Sequence, residues 1–160
     1  MKLSRFLFIP FFCCNIVFAN SQDHENLRKL KSTVIDLINS QNFDGLSSRI
    51  HNNIVVTAEN NQVVRGKEEL EKFYKNLLIN KEAPLEKFEI RKFEVDELSI
   101  LYHNHTAIAF GDMECYFKLK NGTENIFQTR WTATLIREAD LWRLAAFHNS
   151  VDFTNNPLTG

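Results

Sequence analysis

The sequence predicts an α+β domain with helices gathered on one face of a curved sheet, and three observations carry that expectation. Apolar residues recur at helical spacing in two segments before residue 80. From Leu85 the hydrophobic period shortens to two. Two turn signals, Asn121-Gly122 and Glu138-Ala139-Asp140, then divide the second half into long strands.

The N-terminus precedes all of this with a different pattern. Lys2 and Arg5 begin it, a run from Phe6 to Phe18 is apolar apart from Asn15, and Val17-Phe18-Ala19 offers a small-residue cleavage pattern. The run falls short of the roughly 20 residues that span a bilayer. Polar residues, Asn20 to Glu25, follow at once. Residues 1–19 are therefore expected to be a signal peptide cleaved near Ala19, and 20–160 an exported domain, periplasmic or extracellular and free of the membrane after cleavage. A retained anchor is the alternative. Cys13 and Cys14 follow Pro10-Phe11-Phe12, which does not suit lipid attachment. Cleavage would leave Cys115 alone, so no intrachain disulfide could form and stability must come from the core. The chain's formal charge of −1 would become −3 on loss of Lys2 and Arg5, which gives no electrostatic footprint for nucleic acid. Asn104-His105-Thr106 and Asn121-Gly122-Thr123 match the glycosylation pattern and are read as turn chemistry.

Leu27, Leu30, Val34, Leu37 and Ile38 mark an amphipathic helix of about four to five turns that stops near Asn42. Phe43 begins a short second helix reaching toward Ile50. Residues 54–58 and 62–65 form a short hairpin. Gly66 then opens a third helix, 67–78, with Leu70, Phe73, Tyr74 and Leu77 on its buried stripe and acids in its first turn. One strand from Leu85 holds Phe88, Ile90, Phe93 and Val95, with a bulge where alternation slips between Arg91 and Lys92. Strands over 106–119, 124–137 and 141–152 complete an antiparallel run.

This order, together with local motifs, resembles the nuclear-transport-factor-2-like superfamily in its SnoaL-like and ketosteroid-isomerase-like branch. Val64-Arg65-Gly66-Lys67-Glu68-Glu69-Leu70 with Phe73-Tyr74 is similar to the family's strand–glycine–helix passage. Arg130-Trp131-Thr132, Leu141-Trp142-Arg143-Leu144 and Phe147-His148-Asn149-Ser150 resemble its final hairpin. The resemblance implies a cone-shaped, cystatin-like fold with a pocket between three helices and an antiparallel sheet, often dimeric through the outer sheet face. Thr129-Arg130 and Phe147-His148-x-Ser150 are also similar to the association domain of calcium/calmodulin-dependent kinase II, which implies a pocket role for Arg130 and an assembly function. The isomerase pattern of a tyrosine donor and an aspartate base finds only distant analogues in Tyr74 and Asp112.

Two-residue loops at Asn121-Gly122 and Ala139-Asp140 would set Asp112 opposite Trp131, Glu114 opposite Thr129, and Trp131 opposite His148. One face would then hold Phe110, Asp112, Glu114, Tyr116, Trp131, Ala133, Ala146, His148 and Ser150. Those types suit a concave site. His148 is the candidate general acid or base, with Glu114 or Asp112 orienting it. Trp131, Arg130, Tyr116, Ser150 and Phe110 are candidate ligand contacts. The plainer alternatives are a structural histidine, a solvated strand end for the carboxylates, and core burial for Trp131. The opposite face, with Met113, Phe147 and Thr132, would form a homodimer contact. His103-Asn104-His105 lacks a third metal ligand, Ser150 a nucleophile elbow, and Cys115 a cationic neighbour. No metal or cofactor is expected. These residues point to a pocket for a small hydrophobic or carboxylate-bearing molecule, in a binding or scaffold role. The alternatives are a proton-transfer enzyme built on His148 and an oligomerising assembly module.

Overall fold

A computed structural model describes residues 14–58 and 60–151, with side chains described for 21–58 and 60–150. Most of the expected signal peptide, residues 1–13, lies outside the described residues, as does the end of the last expected strand.

Helix α1, Cys14–Asn39, carries the spacing of Leu27, Leu30, Val34 and Ile38 along its inner side and is longer at its start than expected. Asn42 ends that run and caps α2, Phe43–Ser47, its Oδ1 accepting from Gly45 N–H at 2.9 Å. The amphipathic α3, Lys67–Leu78, buries Leu70 and sets Tyr74 flat against Phe43 at a ring separation of 5.1 Å. All three helices match the expected order.

Among the described residues seven strands form the sheet: β1 Ile50–Thr57, β2 Val63–Arg65, β3 Leu85–Phe93, β4 Ile100–Tyr102, β5 Thr106–Leu119, β6 Glu124–Glu138 and β7 Leu141–Val151. Their order is β2-β1-β7-β6-β5-β3, with β4 also on β5. The sheet is mixed rather than wholly antiparallel, because β1 runs parallel to β7. β4 is a strand that the sequence reading placed no element on. It is only three residues long and supplies no alternation to detect.

Three irregularities decide which side chains share a face. The β3–β5 pairing slips between Ile90 and Lys92, at the expected bulge, so Phe93 rather than Lys92 falls opposite Met113. The β5–β6 turn holds three residues, not two. Lys118 faces Glu124, Leu119 N–H donates to Thr123 O at 2.8 Å, and Gly122 takes the left-handed conformation at φ 90°. The β6–β7 turn is the expected two-residue loop, with Ala139 and Asp140 at φ 46° and 66°. Beyond it, however, a slip between Thr134 and Leu135 leaves Ala145 as an extra residue.

The longer loop turns β6 over relative to β5, and the bulge turns β7 over relative to β6. β5 and β7 thus keep the facing that the two-residue loops imply, and β6 alone is reversed. Trp131 lies opposite Gly111 and Asn149, while Arg130 lies opposite Asp112 and Ser150. A one-residue shift changes the facing of every side chain downstream.

Candidate functional site

The inner face of β5–β7 carries Ala109, Gly111, Met113, Trp131, Ala133, Phe147 and Asn149, most of them buried. At its centre an absent side chain lets backbone approach closely. A Cβ on Gly111 would lie 2.0 Å from the carbonyl oxygen of Glu94, where the chain leaving β3 crosses β5. The indole of Trp131 packs beside that crossing, its Nε1–H donating to the Asp112 carbonyl at 3.1 Å. The polar edge of the ring is thus satisfied by backbone, and its faces remain for packing. Phe93, swung inward by the bulge, stacks on Trp131 at 4.3 Å between ring centres, and Phe147 flanks it at 5.9 Å.

Between this aromatic floor and helices α1 and α3 lies a cavity of about 770 Å³. That is within the range of about 300–1,000 Å³ typical of small-molecule sites. Leu27, Val34, Phe73 and Leu77 close it from the helix side. Charged and polar groups gather at the edge: His24, Arg28 and Lys31 on α1, and Glu94, Asp96 and Glu97 on the segment after β3. Deeper in, Asn149 is the polar group on the sheet floor, and Tyr74 lines the α3 side. Two fastenings hold α1 over the sheet. Asn39 donates from Nδ2 to Ile90 O at 3.0 Å and accepts from Ile90 N–H at 2.8 Å. At the other end the buried Asp23 accepts from Arg137 at 3.2 Å and from Trp142 Nε1–H at 3.1 Å. Among the described residues no group of three or more His, Cys, Asp or Glu side chains converges to hold a metal ion.

Residues 27–154 match the model of the SnoaL-like domain. The chain belongs to the SnoaL-like family. Solved structures agree in fold. A hexachlorocyclohexane dehydrochlorinase, LinA type 2, is 12% identical, with 85% of this chain and 89% of that one covered at a TM-score of 0.75. A putative scytalone dehydratase from Novosphingobium aromaticivorans is 7% identical, with 85% and 88% covered at 0.73. An uncharacterised cystatin-like protein from Caulobacter vibrioides is 12% identical, with 83% and 89% covered at 0.67. No curated protein matches the chain in sequence.

In this SnoaL-like domain the reversal of β6 redistributes the residues singled out from the sequence. Trp131 lines the cavity. Asp112, Glu114, His148, Ser150, Phe110, Tyr116 and Arg130 do not. They occupy the outer face of the sheet, so the expected grouping of Trp131 with His148 and the two carboxylates is corrected. His148 meets Ser150 at 3.1 Å and neither carboxylate, because β6 separates its strand from β5. Glu114 accepts from Gln128 at 2.6 Å. Arg130, exposed, forms a forked pair with Asp96 and a second contact with Asp112 at 3.0 Å. These hydrogen bonds, Asp96's first, push the guanidinium pKa further up. Tyr116 lies under the Arg91 guanidinium at 3.9 Å, and lost hydration together with a hydrogen bond to Glu124 raises its phenol pKa. Met113 and Phe147, expected at a subunit contact, instead line the cavity. Phe93, Asn149, Arg28 and Lys31 are cavity residues that sequence reasoning passed over. The i, i+4, i+7 spacing of His24, Arg28 and Lys31 was the available signal for the last two.

Proposed function

We propose that this SnoaL-like domain is an exported binding protein that holds one small, predominantly apolar molecule between its helices and its sheet. The cavity over Trp131 carries this reading. It is large, its walls are mainly apolar, and the indole nitrogen below it is already bonded to backbone. A filled interior would suit a pure assembly module, and this interior is hollow. The structure of similar fold named for hexachlorocyclohexane dehydrochlorination is in keeping with a small-molecule role. His148 lies outside the lining of this cavity, which favours the binding reading over a proton-transfer enzyme built on that residue.

Export rests on Lys2, Arg5, the apolar run to Phe18 and the Val17-Phe18-Ala19 pattern. N-terminal sequencing of the exported protein should begin at or within a few residues of Asn20, and intact Met1 would refute it. A homodimer through the outer sheet face is part of the same reading, since half-buried Phe110 and Ile108 lie there among the charges. Light scattering should report twice the chain mass, and a monomer at high concentration would refute it.

Binding itself is tested with N-phenyl-1-naphthylamine, an uncharged probe that fluoresces in apolar surroundings. The purified protein should enhance its emission saturably, and Ala133→Phe, placed in the cavity wall, should abolish that enhancement while near-ultraviolet circular dichroism stays native. Saturable binding unaffected by Ala133→Phe would move the site elsewhere. No binding would remove the proposal.

A further inference from the structure

The cavity's edge is electrically lopsided, and this narrows the class of molecule it can take. His24, Arg28 and Lys31 sit at steps of four and three residues, which places them along one side of α1 with the cavity-lining Leu27 and Val34. Arg28 shares its charge with Glu25 at 3.2 Å, its side chain 57% exposed. Lys31 has no ion pair among the described residues and is only half-exposed. The acids across the opening are mostly engaged elsewhere. Asp96 is gripped by Arg130, and Glu94 meets Lys92 at 3.0 Å. Glu97 alone of the three has no ion pair among the described residues, and it is exposed to water.

Lys31, together with Arg28 shared with Glu25, therefore places positive charge on the helix side of a mainly apolar chamber, while two of the three facing acids are ion-paired. From this we infer that the occupant is an amphipathic organic anion. Its apolar body lies against Trp131, Phe93 and Phe147, and its acidic head group sits at the opening beside Arg28 and Lys31. The inference rests on the binding role proposed above and specifies its ligand class. The arrangement favours an anion because a head group at the opening keeps part of its hydration while gaining charge-assisted hydrogen bonds. The apolar body meanwhile displaces water from the chamber. An uncharged molecule gains only the second contribution, and a cation would meet unfavourable positive charge.

A matched pair of probes separates the two contributions. 1-Anilinonaphthalene-8-sulfonate and N-phenyl-1-naphthylamine share the same aromatic body and differ by one sulfonate. Both are titrated into the wild-type protein and into the double variant Arg28→Gln/Lys31→Gln. Glutamine suits an exposed helix, so the fold should persist, and near-ultraviolet circular dichroism verifies it. The double variant should bind the sulfonate probe about tenfold more weakly, the size expected for losing one charge-assisted bond. The uncharged probe should change less than about twofold. Added salt should weaken only the sulfonate probe, and only in the wild type. Equal behaviour of the two probes in both proteins overturns the anion assignment and leaves the binding role standing. Tighter sulfonate binding in the double variant also overturns it. Failure of both probes to bind the wild type overturns the binding role itself.

Discussion

Strands β5, β6 and β7 present two faces built from alternating residues of the same three segments, and the faces use their chemistry in opposite ways. The inner face, with Met113, Trp131, Ala133, Phe147 and Asn149, spends its one indole N–H on a backbone carbonyl and turns its remaining surface toward the cavity. On the outer face Asp112, Glu114, Arg130, His148 and Ser150 satisfy one another or neighbouring side chains. Among the described residues, the chamber lies on the face poor in acid–base residue types, and the residues of those types lie on the other. Residue type alone therefore points to the side away from the chamber, and what separates the sides is register.

The contrast can be broken most forcefully at Trp131. Trp131→Ala should cost about 3–5 kcal/mol in urea unfolding, because a buried ring is lost and its neighbours collapse only in part. A loss below about 1 kcal/mol would mean that the aromatic floor does not hold the inner face together. Next comes Gly111→Ala, which drives a methyl group into the Glu94 backbone, 2.0 Å away. Overpacking against backbone should cost about 3 kcal/mol. A neutral result would show that the chain after β3 does not cross β5 there.

On the outer face the effects should be small. His148→Ala should change stability by less than about 0.5 kcal/mol and leave the affinity for N-phenyl-1-naphthylamine unchanged. A large loss of affinity would return the site to the outer face. The smallest effect concerns acid. The hydrogen bond from Arg130, more than its charge, holds the Asp96 carboxyl below its ordinary pKa. A lowered folded-state pKa adds stability above the unfolded value, about pH 4, and that stability is lost as pH falls through the folded value. Arg130→Ala should therefore flatten the dependence of unfolding midpoint on pH below about 4. An unchanged acid limb would show that the Arg130–Asp96 pair is not held in solution.

The fold was legible because its signals are redundant. Helix α3 and strand β5 occupy the residues that periodicity assigns them, 67–78 and 106–119, and the bulge near Arg91 is visible as a slip in alternation. The site was only half legible, since its face depends on single residues. Asn121-Gly122 suits both a two-residue and a three-residue hairpin loop, and Gly122 supplies the positive φ in either. The extra residue at Ala145 sits in the apolar run Leu144-Ala145-Ala146-Phe147, where no polar residue marks the break. Gly111 reads as an ordinary strand glycine until the crossing chain is seen. Of the residues singled out, Trp131 lines the cavity, and the companions expected beside it face the other way.

The most direct test is which methyl groups a bound molecule touches. With N-phenyl-1-naphthylamine bound to methyl-labelled protein, intermolecular nuclear Overhauser effects should link the probe to Met113, Ala109 and Ala133, all lining the cavity. Thr132 and Ala146, on the outer face, should give none. Contacts to Thr132 or Ala146, with silence at Met113, would contradict the assignment of function to the inner face.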